Sequence, residues 1–199
     1  PIATVFSSIF LIYTLNIATL RLFLWQRPLK EGFYREGSPE EFTYSVYELF
    51  YLILLNTLTT NKLMPIPLMR IIYICLGAGL GKNTYSSGII FDPTMIQIGN
   101  NTILGFDSVL CPHAVEGSKI FCCKIIIGNN VTLGMRSIVL ADCIIEDNAI
   151  VAAGSLVKKG THIKAGETWG GIPAKLLPTK IITAEETIVN SKQSIKFAS

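Results

Sequence analysis

Residues 127–156 read IGNNVT, LGMRSI, VLADCI, IEDNAI and VAAGSL, five consecutive hexads that each begin with Ile, Val or Leu. The same period is present in IGNNTI, LGFDSV and LCPHAV at residues 98–115, and it continues as VKKGTH and IKAGET at residues 157–168. Ten aliphatic first positions at this spacing would arise by chance roughly once in 10^5 trials. The period of six therefore decides the fold of this part of the chain.

Each hexad is predicted to form a short strand and a turn, and three hexads complete a triangular coil of 18 residues. The aliphatic first residue is expected to point inward. The fifth residue is small or β-branched, as expected for a narrow interior, and the frequent Gly in second place suits a tight corner. The pattern is typical of a left-handed parallel β-helix. LGKNTY at residues 80–85 lies one coil before Ile98 and predicts that the β-helix begins near Leu80.

The register breaks once, because eleven residues at 116–126 separate two good hexads. We interpret residues 121–126 as a degenerate hexad and residues 116–120 as an inserted loop. Loops that leave a regular scaffold often carry functional residues.

The end of the repeat resembles a known family. AGSLVKK at residues 153–159 and WGGIPAK at residues 169–175 resemble the closing motifs of CoA-dependent acetyltransferases, except that Ile172 stands where Asn is usual. From about Leu80 to Lys180 the chain is similar to the hexapeptide-repeat acyltransferases. More loosely, the apolar part before Leu80 resembles that of membrane-linked hexapeptide proteins, including the C-terminal parts of large peptide-synthetase-like proteins.

The resemblance implies a homotrimer with active sites between subunits, a single His as general base, and acetyl-CoA or another acyl-CoA as co-substrate. It places the pantetheine arm along the later coils and the CoA phosphates near basic residues. The implied cofactor-binding residues are Gly134, Ala153, Lys159, Trp169, Gly171 and Lys175. For the two lysines, a solvated surface charge is an equal alternative.

The chain has two His, at positions 113 and 162. His113 occupies the fourth place of its hexad, at a predicted outward corner just before the insertion, and the pKa range of imidazole suits a base at neutral pH. Glu116 follows three residues later and could orient the imidazole or bind the acceptor, with an exposed loop Glu as an equal alternative. His162 is predicted to be solvated. The β-helix carbonic anhydrases need three His per zinc site, so two His argue against a metal centre.

Composition excludes two further classes. The chain of 199 residues is 50% hydrophobic and 16% charged, with a net charge of +3 and a mean hydropathy of +0.47. Disorder requires lower hydrophobicity and more charge, and nucleic-acid binding requires basic clusters that are not found here. Residues 1–20 contain no charged side chain. We expect residues 1–79 to form a membrane-associated helical region with one or two spans or a re-entrant hairpin, the weaker alternative being core helices of a soluble domain.

The predicted organisation is therefore a membrane-associated region at residues 1–79, a β-helix acyltransferase domain at residues 80–180 and a cap or tail at residues 181–199. The predicted function is acyl transfer, with acetyl-CoA as the preferred donor, to a hydroxyl or amine acceptor that is small or membrane-linked. The active site is expected on the cytoplasmic side. The alternatives are a longer acyl donor, or a non-catalytic membrane scaffold or binding module.

Overall fold

The computed structural model describes residues 2–60, 64–117 and 119–178. Four α-helices come from the first part of the chain: α1 (Ile2–Gln26), α2 (Pro39–Glu48), α3 (Asn56–Thr60) and α4 (Ile66–Leu76). A π-helical segment, Leu49–Leu55, joins α2 to α3, and a 3-10 turn spans Pro93–Met95. The strands are β1 (Gly32–Tyr34), β2 (Gly79–Leu80), β3 (Tyr85–Ser86), β4 (Ile89–Ile90), β5 (Ile96–Ile98), β6 (Ile103–Leu104), β7 (Val109–Cys111), β8 (His113–Glu116), β9 (Lys119–Cys122), β10 (Ile125–Ile127), β11 (Thr132–Leu133), β12 (Ile138–Leu140), β13 (Ile144–Ile145), β14 (Ile150–Val151), β15 (Leu156–Val157), β16 (His162–Ile163), β17 (Thr168–Gly171) and β18 (Ala174–Leu176).

The strands of the repeat stack into three sheets, one for each side of a triangular coil. The first sheet has the order β2-β5-β10-β13-β16, the second β3-β6-β11-β14-β17-β18 and the third β4-β7-β12-β15. All neighbours pair in parallel except β17 and β18, which are antiparallel. Ile126 pairs with Ile144 and Ile144 with His162, so each coil advances by 18 residues, as the sequence predicts.

The ten aliphatic first positions form the core of the β-helix. All ten are buried, with at most 5% of their surface exposed, which confirms the predicted inward ladder. They are Ile98, Leu104, Leu110, Ile127, Leu133, Val139, Ile145, Val151, Val157 and Ile163. Burial of each such side chain contributes about 1.5–3 kcal/mol to folding, so this ladder is a main source of stability.

The corners of the coils depend on the fourth residue of the hexad, and the Gly in second place has a different role. The fourth residue adopts left-handed backbone angles at Asn101, Asn130 and Arg136. The second-place Gly has an ordinary φ, but a Cβ at Gly105 would lie 2.6 Å from the backbone nitrogen of Met135 in the next coil. Gly is therefore required there for close stacking of coils.

The interior is wider in one place than the sequence predicts. Ile96 pairs with Ile125 in the first sheet, and Cys143 occupies the same position in the next coil. This is the fifth position of the hexad, and all three side chains are buried. This interior position of the first sheet is therefore not limited to small residues. Ala114, the predicted fifth residue of its hexad, instead lies in β8 outside the coil.

The register break is a β-hairpin that leaves the coil. Gln97 pairs with Ile126, a step of 29 residues, so all eleven extra residues are an insertion. β8 and β9 pair antiparallel, and β1 adds a third strand at the edge of β9. The predicted degenerate hexad at residues 121–126 is therefore wrong. The backbone of Phe121 pairs with Ala114 within the hairpin and not with a neighbouring coil.

The helices cover the open end of the β-helix. The Tyr73 hydroxyl donates to the Gly88 carbonyl at 3.3 Å and accepts from the Ile90 backbone N–H at 3.1 Å. The Tyr51 hydroxyl donates to the Ile90 carbonyl at 2.7 Å. Arg70 donates to carbonyls of the same coil, including that of Gly81 at 2.8 Å. These backbone groups belong to the first coil, so the helices take the place of a preceding coil.

Three tyrosines of α2 and the π-helical segment belong to this interface. Tyr44, Tyr47 and Tyr51 are at most 2% exposed, and the rings of Tyr47 and Tyr51 stack with centroids 5.7 Å apart. They are therefore core residues of the junction between the helices and the β-helix.

α1 differs from the other helices because most of it stands clear of the protein. Its buried residues, Leu20 and Leu24, lie near its C-terminal end, whereas Phe6 and Phe10 are 68% and 74% exposed. Among the described residues it is the one helix long and apolar enough to cross a membrane, and no residue of its most apolar 18-residue window is buried. The predicted cap or tail at residues 181–199 lies outside the described residues.

We expect Tyr73→Phe to lower the free energy of unfolding by about 1–3 kcal/mol, because two buried backbone groups lose their partner. Chemical denaturation of the full chain would measure this. Tyr85→Phe is the matched control, since Tyr85 is 43% exposed. Equal stability of the two variants would contradict the proposed role of Tyr73 as an end cap.

Candidate active site

An aspartate and a histidine meet at the corner between the third and first sheets. β4 and β7 pair through Ile90 and Leu110, and after each strand the backbone turns towards the first sheet. Asp92 and His113 each follow two residues after their strand, so the pairing stacks them in adjacent coils. His113 Nδ1 contacts Asp92 Oδ2 at hydrogen-bonding distance. Asp92 is 3% exposed and adopts left-handed backbone angles, with φ of 44°.

Aromatic rings enclose the imidazole of His113. Tyr44 and Phe91 each meet it edge-on, with ring centroids 6.0 Å away. The His113 side chain keeps 23% of its surface exposed. Because Asp92 engages Nδ1, the other ring nitrogen, Nε2, is turned away from the carboxylate. This is the orientation that a general base requires.

The aspartate changes the acidity of the histidine. Burial by itself lowers the pKa of His113, but the hydrogen bonds and charges of Asp92 and Cys111 outweigh it and raise that pKa from 6.5 to about 10. The dyad is therefore an imidazolium–carboxylate pair at neutral pH in the isolated chain. Its contribution to stability is full below the unfolded-state pKa of 6.5 and is lost as the pH rises towards 10.

Two buried phenols line the back of this corner. Tyr44 and Tyr47 are each 1% exposed, and neither hydroxyl has a hydrogen-bond partner among the described residues. Burial raises the pKa of both far above the ordinary value, and the nearby charge of Asp92 raises it further. Both phenols are therefore neutral, and the charge of Asp92 is balanced by His113.

Glu116 does not reach His113. Side chains alternate between the faces of a strand, so Glu116, three residues along β8, lies on the opposite face from His113. Its carboxylate forms an ion pair with Lys159, whose ammonium lies 4.5 Å from the ring centroid of Phe121. The carboxylate that orients the imidazole is thus Asp92, which sequence reasoning missed. The available signal was its position just after the apolar pair at residues 89–90, one coil before the histidine.

The ion pair also changes the interpretation of Lys159. Its ammonium is held between Glu116 and the hairpin ring of Phe121. Lys159 follows β15, which lies two strands above β7 in the third sheet. It therefore stands at the same corner of the β-helix as the hairpin. Lys159 therefore fastens the hairpin to the coils, and this contact competes with any contact to a CoA phosphate.

The remaining predicted cofactor residues lie together at a second corner. A Cβ on Gly134 would lie 2.6 Å from Cα of Ala153, so these two backbones touch in successive coils. Ala152, next to Ala153, donates its N–H to the Trp169 carbonyl at 2.8 Å. Gly171 donates its N–H to Oγ of Ser155 at 3.2 Å. Lys175 lies on the adjoining strand β18 and pairs with Gly170 of β17.

The two corners are separated within one chain. Gly134 and Ala153 precede strands of the third sheet, whereas His113 follows a strand of that sheet. The third sheet therefore lies between the candidate base and the candidate cofactor residues, and a single chain does not bring them together.

His162 has surroundings unlike those of His113. Its Nε2 lies 2.7 Å from Oε1 of Glu146, and half of its side chain is exposed. The two histidines thus belong to separate carboxylate pairs. Within residues 2–60, 64–117 and 119–178, no group of three or more His, Cys, Asp or Glu side chains could hold a metal ion.

Comparison with known proteins supports the hexapeptide-repeat transferase family. The family model described as bacterial transferase hexapeptide (six repeats) matches residues 124–159. The chain is 33% identical over 91 residues to the putative acetyltransferase YvoF of Bacillus subtilis, covering 46% of this chain and 52% of that protein. It is 38% identical over 104 residues to the mitochondrial gamma carbonic anhydrase 2 of Arabidopsis thaliana, covering 52% of this chain and 31% of that protein.

Among solved structures, galactoside acetyltransferase in complex with coenzyme A superposes with a TM-score of 0.56 and 18% identity. The match covers 73% of this chain and 85% of that one. The structural likeness and the family match together imply that the parallel β-helix is left-handed, as the sequence predicts. Because the sequence relatives carry the names of two different enzymes, the shared repeat identifies the fold and not the reaction.

We expect Asp92→Asn to lower the pKa of His113 by about 1 to 3 pH units, because the adjacent negative charge is removed. A histidine titration followed by NMR would measure it. Glu146→Gln is the matched control, since it removes the carboxylate beside His162 and should leave the His113 titration unchanged. An unaltered His113 pKa in Asp92→Asn would contradict the dyad.

Proposed function

We propose that this chain catalyses transfer of an acyl group, acetyl in the simplest case, from acyl-CoA to a hydroxyl or amine acceptor. The observation that carries the proposal is the contact between His113 and Asp92, with Nε2 of the imidazole available beside the hairpin. Support for the donor comes from YvoF, named as a putative acetyltransferase, and from the acetyltransferase structure that contains coenzyme A.

In the proposed reaction, Nε2 of neutral His113 takes the proton of the acceptor as its oxygen or nitrogen attacks the thioester carbonyl. The carbon–sulfur bond breaks, and the CoA thiolate leaves. The imidazolium then returns a proton to the thiolate, so acyl-CoA and acceptor become acylated acceptor and free CoA. Asp92 keeps the Nδ1 proton in place and stabilises the imidazolium, the role of an orienting carboxylate in acid–base pairs.

The raised pKa of His113 has a kinetic consequence under this proposal. A base with a higher pKa accepts the acceptor proton more favourably, but a smaller fraction is neutral at pH 7. The rate should therefore rise with pH up to the pKa of His113.

We further propose that a second copy of the chain completes the active site. The third sheet separates His113 from the corner that contains Gly134 and Ala153. A neighbouring subunit could place its own cofactor corner opposite His113. This separation supports the homotrimer that the family resemblance implies, with one base and one cofactor corner in each interface.

We propose that α1 inserts into a membrane and that the acceptor is membrane-linked or delivered there. A helix of 25 residues is about 38 Å long, enough to cross a hydrocarbon core of about 30 Å. The exposed Phe6 and Phe10 support this, because a projecting apolar helix is unfavourable in water. Under this proposal the active site lies on the cytoplasmic side, where acyl-CoA is available.

We expect His113→Ala to reduce CoA release from acetyl-CoA by about 10²- to 10⁴-fold, the usual contribution of a general base. The assay would follow free thiol with maltose, a galactoside, simple amines and a membrane lipid extract as acceptors. His162→Ala is the matched control and should retain activity. Full activity of His113→Ala would refute the proposed base.

The main alternative is a non-catalytic scaffold or binding module. Calorimetry with CoA distinguishes the two, because an enzyme of the proposed kind must bind its donor. Absence of heat at millimolar CoA, together with absence of thiol release, would favour the scaffold. A measurement of CO2 hydration with added zinc would test the chemistry of the carbonic anhydrase relative on the same preparation.

For the membrane proposal, we expect the combined change Ile9→Glu and Phe10→Glu to abolish co-flotation with liposomes. A charge at the centre of an inserted helix costs about 2.5–3.5 kcal/mol. Val115→Glu with Ile172→Glu is the matched control, because these side chains are as exposed but lie on the β-helix and its hairpin. Equal loss of flotation in both pairs would argue against insertion through α1.

A further inference from the structure

A cavity lies between the C-terminal end of α1 and the first coils of the β-helix. It has a volume of about 260 Å3, and its lining contains both polar and apolar residues. We infer that this cavity binds the phosphate headgroup of an anionic membrane lipid. The lining residues are Arg21, Leu24, Trp25, Pro28, Leu29, Gly77, Thr94, Met95 and Lys124.

Two of the lining residues, Arg21 and Lys124, are positively charged. Arg21 is exposed and has no acidic partner among the residues that the structure describes. Lys124 shares its charge with Glu31, since its Nζ lies 3.0 Å from Oε1 of that residue. Glu31 does not line the cavity, so the lining has an excess of positive charge. A guanidinium beside an ammonium suits a phosphate group.

A hydroxyl adds a third potential donor. Thr94 Oγ1 is buried and has no hydrogen-bond partner among the described residues. An unpartnered buried hydroxyl is unfavourable, and a phosphate oxygen would accept a hydrogen bond from it once a rotation about χ1 turns it towards the cavity. Thr94 lies in the 3-10 turn Pro93–Met95, which directly follows Asp92, so the cavity adjoins the turn that presents the dyad aspartate.

A glycine leaves room for the side chains of Arg21 and Thr94. Gly77 ends α4 with a φ of 112°. A Cβ at this position would clash with the guanidinium of Arg21 and would lie 2.6 Å from Cγ2 of Thr94. Any larger residue would therefore displace both groups. This part of the cavity is shaped by a residue that can also adopt the left-handed turn.

The position of the cavity favours a lipid over a free anion. Nineteen residues of α1 precede Arg21 without a charge, and about 19 residues of helix span roughly 29 Å, close to the thickness of the hydrocarbon core. With α1 inserted, Arg21 and Trp25 therefore lie at the headgroup level, where basic and indole side chains are enriched in membrane proteins. Leu24 and Pro28 are apolar lining residues, which suit the glycerol and first methylenes of a phospholipid. This placement rests on the proposed insertion of α1.

The test is binding of short-chain phosphatidylglycerol to the full chain in a neutral detergent, measured by calorimetry and by native mass spectrometry. We expect Arg21→Gln with Lys124→Gln to weaken binding by about tenfold or more, since each charged contact to phosphate is worth a factor of that size. Arg27→Gln with Lys30→Gln is the matched control, because it removes the same net charge from neighbouring positions outside the cavity. Equal weakening in both pairs would overturn the site, since it would show unspecific attraction.

Thr94→Val is a second variant that changes no charge and keeps the shape of the side chain. We expect it to weaken lipid binding several-fold without lowering the melting temperature, and unchanged affinity would overturn the contact to Thr94. Glycerol phosphate and inorganic phosphate are the remaining arms. If either of these soluble anions binds as tightly as the lipid, the lipid assignment is overturned in favour of a soluble anion. Because the probe is soluble and no turnover is measured, the outcome is independent of liposome flotation and of acyl transfer.

Discussion

The open end of a parallel β-helix exposes backbone N–H and C=O groups that in every later coil are paired with a neighbour. Here the first coil is completed by side chains from the helices, as Tyr51 and Tyr73 bind Ile90 and Arg70 binds the carbonyl of Gly81. Exposed strand edges favour unwanted association, so this covering protects the β-helix as well as stabilising it. The same contacts fix the helices against the first coil, which determines the wall behind the dyad and the direction in which α1 leaves.

The dyad exists because the repeat fails at one corner. Most hexads from residue 98 turn at a fourth residue with left-handed backbone angles, supplied by Asn, Asp, Arg or Gly. The equivalent residue in LCPHAV is His113, which is instead the first residue of β8. Because a hairpin replaces the turn, His113 has an extended backbone and its imidazole contacts Asp92 in the preceding coil. Asp92 can reach it because the first coil is itself irregular and closes through a 3-10 turn.

Periodicity predicts whatever repeats, and this explains what the sequence could and could not show. The inward ladder, the coil length and the hairpin position follow from spacing, because each depends on a side chain that recurs or on the place where recurrence stops. Asp92 could not be found in this way, since residues 86–97 fit the hexad poorly. The pairing of Glu116 with Lys159 depends on the length and face of the hairpin, which no short-range pattern encodes. The role of Tyr44, Tyr47 and Tyr51 could not be predicted for a related reason: an aromatic cluster looks the same in sequence at a membrane interface and in a buried junction.

The apolar excess of the chain has three physical sources, and they carry different implications. The ladder of the β-helix and the tyrosine junction are buried, so each is explained by folding. The exposed part of α1 is explained by neither, because residues 2–12 are all exposed and the side chains that pack against the core begin at Tyr13. Folding cannot select for such a surface, whereas insertion or association can. The uncharged run also ends at Arg21, where the chain first places a cation beside a cavity. A helix that was apolar for reasons of internal packing would have no need to end in this way. Under the proposed insertion of α1, the boundary between the apolar helix and the basic cavity is the boundary between two solvents.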